Sequence, residues 1–125
     1  MTRTVDIPAE RWPGFLEMIN RLANGLPVRL EVARRELGDQ DMAKRLPLQE
    51  IDFETKGSER GRMVISVGSD RGELTHLITA PTRMAIGLND FDEPEWLAID
   101  ESGEATTIIH FEELPALEAE PGAPA

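Results

Sequence analysis

From residue 27 onward the chain sets short stretches of alternating apolar and polar residues one after another, with no helical period between them. Val28, Leu30 and Val32 alternate with Arg29, Glu31 and Ala33, and Ile51 and Phe53 alternate with Asp52 and Glu54. A period of two marks a strand that buries one face. Further stretches run over 62–67, 74–79 and 82–88, with Ala80-Pro81 as an interruption, so that 82–88 is a fifth strand or the far side of a bend. Residues 96–100 and 106–111 flank Glu101-Ser102-Gly103-Glu104, a short hairpin connection. Seven candidate strands this close together leave no room for the crossovers that parallel pairing needs. The expected fold is therefore mainly β (α+β), an antiparallel barrel or sandwich of about six to seven strands.

A period of 3.6 occurs once, before the strands. Trp12, Phe15, Leu16, Ile19, Leu22 and Ala23 form one apolar stripe, and Glu17, Asn20, Arg21 and Asn24 lie off it. This predicts an N-terminal amphipathic helix over about 9–24, packed on the sheet with Trp12, Phe15, Ile19 and Leu22 buried. Pro8 suits a first turn and Gly25 a C-terminal stop. Pro13 removes a backbone donor, so the helix either kinks there or begins there, with 8–11 as a separate turn. Gly38-Asp39 opens a polar connection that ends at Leu46-Pro47-Leu48. In 125 residues, 40% hydrophobic and 30% charged, this is one globular domain over 1–113. Residues 114–125 contain three prolines and a glycine and read as a disordered, Pro/Ala-rich acidic tail.

Charge narrows the partners. Residues 1–83 hold 13 acidic and 13 basic side chains, whereas 84–125 hold 11 acidic ones and no Lys or Arg, so the net charge of -11 belongs to the last third. Such a field repels phosphate backbones and anionic lipid, so neither nucleic acid nor membrane is an expected partner. Basic residues gather between Arg29 and Arg45 but are interleaved with Glu31, Glu36, Asp39 and Asp41. The two unlike segments suit a monomer or a weak homodimer centred on an exposed edge strand, whose unpaired N–H and C=O groups can join another sheet. No apolar run approaches the roughly 20 residues of a membrane span, and Met1 to Asp6 has no apolar segment of a secretory leader. The expected location is cytoplasmic. With no cysteine, disulfides, thiolate metal sites and cysteine nucleophiles are excluded.

Several fragments together carry a resemblance. They are Ile7-Pro8-x-x-x-Trp12-x-x-Phe15-Leu16, Leu46-Pro47-Leu48, Leu74-Thr75-His76-x-Ile78-x-x-Pro81-Thr82 and Thr106-Thr107-Ile108-Ile109-x-Phe111. In this order and spacing, over about residues 5–112, the chain resembles a bacterial family of small stand-alone proteins, domain of unknown function 5335. His110 stands where such proteins are expected to have a basic residue. The resemblance implies one compact domain and brings no activity, cofactor or catalytic residue.

The residues offer little chemistry. His76 shares a strand face with Leu74 and Ile78 and is expected at the core as a hydrogen-bonded histidine, while His110 is expected on the solvent side. Two histidines without ligand spacing predict no metal site. Asp90, Asp92, Glu93 and Glu95 lack the spacing of a calcium loop and read as a solvated acidic turn. Ser58, Ser66, Ser69 and Ser102 sit in no nucleophile elbow, and Gly57-Ser58-Glu59-Arg60-Gly61 lacks the context of a phosphate cradle. No catalytic residue and no cofactor are expected. The reading is a small non-enzymatic interaction or regulatory protein that acts through its surface and acidic C-terminal third, its partner an unidentified protein or itself. The alternative is a small-molecule-binding β-barrel with a pocket between helix and sheet and with His76 and Thr82 as polar lining. A cavity walled by His76 favours the alternative, and a filled interior favours the first reading.

Overall fold

Val5 and Ile7 turn inward from β1 (Arg3–Ile7), a strand that the sequence reading misses because five residues give alternation too little length. A computed structural model describes residues 1–35, 38–69 and 72–113; the expected tail over 114–125 lies outside the described residues. After β1, a 3-10 turn at Ala9–Arg11 leads into α1 (Trp12–Ala23). Pro13 falls in the first helical turn, where N–H groups have no intrahelical partner, so the helix begins beside the proline and the preceding turn is separate. Gly25, at φ 84°, ends it. The buried face is Trp12, Leu16, Ile19 and Ala23. Phe15 and Leu22, expected in that set, flank it and are half-buried.

The remaining strands are β2 (Pro27–Arg34), β3 (Gly38–Phe53), β4 (Met63–Ser69), β5 (Gly72–Ile78), β6 (Pro81–Leu88), β7 (Pro94–Glu101) and β8 (Ala105–Phe111). All pairings are antiparallel, in the order β1-β6-β7-β8-β2-β3-β4-β5. The sheet has eight strands rather than six or seven, and β1 and β5 end it without pairing to each other, so it is not a closed barrel. The polar connection expected from Gly38 is instead the first half of β3. Ala43 is the one buried residue over 38–47, so no alternation could reveal the strand in sequence. Pairing with β2 holds it in place.

β3 is what curves the sheet. Its first half pairs with β2 and its second half with β4. Three register shifts interrupt these ladders, and Arg45 takes φ 51° at one of them. Bulges bend a strand and increase its twist. The result is visible at His76, on the terminal strand β5, whose Nε2 lies 3.0 Å from Thr107 Oγ1 on β8. In a flat sheet β5 and β8, four places apart, would be separated by roughly 19 Å. The sheet therefore rolls over its own buried face.

Helix α1 lies against that roll. Trp12 Nε1 donates to Ile7 O of β1 (2.8 Å), and its indole meets the Phe53 ring edge-on at 5.8 Å. At the other end, Asn20 behaves as a length of strand: Nδ2 donates to Ile51 O (2.9 Å) and Oδ1 accepts from Ile51 N (2.8 Å). Asn24 Nδ2 donates to Gln49 O (2.9 Å), and Gly25 N donates to Leu48 O (2.7 Å). These bonds satisfy the edge of β3 beyond Pro47, where β2 no longer pairs.

Candidate functional site

The site is built on β1, one end of the sheet. Across the β6–β7 turn, Asn89 N donates to Glu93 O (2.9 Å). Successive backbone groups of a strand point to opposite sides, so odd-numbered residues of β6 bond to β7 and even-numbered ones to β1. Met84, Ile86 and Leu88 stand opposite Ile7, Val5 and Arg3. The N–H and C=O groups of Thr4 and Asp6 consequently point away from the sheet, and they have no partner among the described residues. Pro8 follows with no N–H to offer.

Beside this edge runs a groove of about 510 Å³ between β1 and α1. Val5, Ile7, Phe15 and Met18 give it an apolar floor, while Asp6, Glu10 and Arg11 supply charge at its sides. The half-exposure of Phe15 thus has a structural meaning, for its ring divides its surface between the core and the groove. Asp6 is held by Arg83, whose Nε (3.0 Å) and Nη2 (2.7 Å) both donate to Oδ1. That hydrogen bond raises the guanidinium pKa above its ordinary value.

The acidic turn of the sequence reading packs against the start of β1. The Met1 ammonium lies 3.0 Å from Asp90 Oδ2, Arg3 pairs with Asp92, and Thr2 Oγ1 donates to Glu95. Asn89 Oδ1 accepts from Phe91 N (2.8 Å) and Glu93 N (3.0 Å), which fixes the loop and leaves Phe91 77% exposed at its tip. The carboxylates are dispersed over these separate partners. Among the described residues no three His, Asp or Glu side chains are placed to hold a metal ion.

His76 and Thr82 are not brought together. His76 is buried in the roll on the Thr107 hydroxyl, both side chains nearly inaccessible (8% and 2%). Burial lowers its pKa, a nearby Glu101 opposing and Arg34 reinforcing the change. Thr82 stands near the start of β6, where its Oγ1 donates to Asp100 O (3.2 Å). It lines a shallow cleft of about 460 Å³ with Arg34, Arg35, Arg83, Asp100 and Thr106. His76 lines neither this cleft nor the helix–sheet groove, and Thr82 does not line the groove. His110 faces outward and reaches Glu31 Oε1 at 2.7 Å, which lowers the Glu31 carboxyl pKa. Sequence reasoning missed Thr4, Asp6 and Met18. Their role depends on β1 being an edge and on α1 lying beside it, and no local pattern states either fact.

Fold and groove together define an open, rolled antiparallel β domain with a helix beside its terminal strand. A family described as a family of unknown function (DUF5335) matches residues 3–120, and the chain belongs to that family. No curated protein and no solved structure matches the chain. No helix among the described residues is long and apolar enough to cross a membrane.

Proposed function

We propose that this domain is a non-enzymatic interaction module that takes up an extended segment of polypeptide as a further strand beside β1. One observation carries the reading: the main-chain groups of Thr4 and Asp6 stand unpaired along an edge that borders an apolar groove. Strand addition uses main-chain bonds for affinity and pockets for alternate side chains for selectivity. Here the bonds go to Thr4 and Asp6, and the inward side chains of the added strand rest on Val5, Phe15 and Met18. The packed setting of His76 also favours this reading over a hollow barrel. The test is a nuclear magnetic resonance titration of dilute protein with the capped peptide Thr-Val-Thr-Val-Thr-Val. The amides of Thr4, Asp6 and Phe15 should shift in the wild type, and those of Asp6 and Phe15 should stay in place in Thr4→Pro. Shifts confined to other strands would remove the reading.

A second reading is favoured by the Thr82 cleft, where Arg34 and Arg35 have no ion pair among the described residues. A small anion would bind there, and inorganic phosphate should then raise the melting temperature in the wild type but not in Arg34→Gln/Arg35→Gln. No rise in the wild type would exclude it.

A further inference from the structure

The strand best suited to the β1 edge is β1 itself. Set antiparallel about a two-fold axis at Val5, Thr4 of one copy stands opposite Asp6 of the other. These are the two residues whose N–H and C=O groups point outward, so one arrangement makes four main-chain bonds. Val5 then faces the partner's Val5 over the groove floor. Arg3 faces the partner's Ile7, beside the partner's Glu10 on the groove wall. The start of the strand, which holds Asp90 through Met1 and Asp92 through Arg3, comes alongside the partner's Pro8 and Arg11. Phe91, between those aspartates, is the most exposed aromatic ring among the described residues, so the loop offers an apolar group to the apolar floor of a groove whose sides carry Arg11 as well as Asp6 and Glu10. An isologous contact makes each of these meetings twice.

We propose that the domain forms a two-fold homodimer in which the β1 strands pair antiparallel at Val5, joining two sheets into one, with Phe91 of each copy seated at the groove of the other. This rests on the strand-pairing reading and names its partner as a second copy of the chain. Exposed charge pairs add little, so the main-chain bonds and the apolar floor hold the dimer and its affinity is modest.

Because the chain has no cysteine, a single one reports on the axis. Directly opposed residues that do not exchange hydrogen bonds have Cα atoms about 4.5 Å apart, within disulfide range. Val5→Cys should give a cross-linked dimer under mild oxidation, and Thr4→Cys much less of it. In sedimentation from about 10 μM to about 1 mM, a range that reveals weak association, the wild-type mass should rise towards twice the monomer. Thr4→Pro deletes an outward N–H without touching the β6 ladder, and it should remain monomeric with an unchanged circular dichroism spectrum. Phe91→Ala should weaken the dimer several-fold at unchanged melting temperature. A wild type that stays monomeric at the highest concentration overturns the dimer, as does a dimer that persists in Thr4→Pro with no Val5→Cys cross-link. If the wild type is monomeric while the Thr-Val peptide still shifts Thr4 and Asp6, the dimer alone fails and strand pairing stands. If neither occurs, both fail.

Discussion

Gly87 is where a single atom would decide a packing arrangement. It stands opposite Trp96, and a Cβ there would fall well inside contact distance of the indole ring. The ring covers the glycine, so Gly87→Ala should lower stability by about 1–3 kcal/mol through overpacking. Denaturant midpoints should show the loss, and Trp96→Ala in the same chain should recover part of it, because neighbours that clash are not additive. His76 supplies the other residue-level expectation. Burial, opposed by Glu101 and reinforced by Arg34, holds its folded pKa below the ordinary imidazole value. The unfolded chain therefore binds more protons at mildly acidic pH. The stability linked to His76 is complete above the unfolded value of about 6.5 and is lost as pH falls through the folded one. Urea midpoints taken from pH 8 to pH 5 should drop for the wild type and drop less for His76→Gln. Parallel curves would place the acid sensitivity elsewhere.

At the scale of elements, the helix completes the sheet as well as covering it. Asn20 closes both main-chain groups of Ile51, at a place where β2 has parted from β3 and the backbone is partly buried. Asn20→Ala strands a donor and an acceptor, for an expected cost of about 2–3 kcal/mol. Chemical denaturation gives that number directly, and a loss below about 0.5 kcal/mol would mean that water replaces the amide. The apolar stripe of α1 was readable from spacing alone, because a helix facing one core repeats every 3.6 residues. The work of Asn20 and Asn24 was not readable, since an asparagine off the stripe has the same spacing whether it meets solvent or a strand edge. β3 repeats the lesson: residues 38–42 are exposed, so their strand state comes from the neighbour β2 and not from their own pattern.

The whole molecule is held by pairings between distant parts of the chain. Arg3 stands opposite Leu88, and Val28 opposite Phe111. Non-local antiparallel pairing must close long loops before contacts compensate for the lost entropy, so refolding is expected in milliseconds to seconds. Stopped-flow tryptophan fluorescence should resolve the main phase, and completion within the mixing time would contradict a sheet assembled from such pairings. At this scale, the amino-acid sequence determined the antiparallel β class, the single amphipathic helix, the inward place of His76 and the separation of charge. Each follows from periodicity, spacing or composition, which are properties of short segments or simple sums. Tertiary structure alone decided that the sheet stays open, that β3 bends it, that β1 is its edge and that His76 and Thr82 take different partners, with His76 outside the Thr82 cleft. Those outcomes depend on which distant strands find one another and on where backbone hydrogen bonds run out, and the side-chain pattern of any one segment does not encode that.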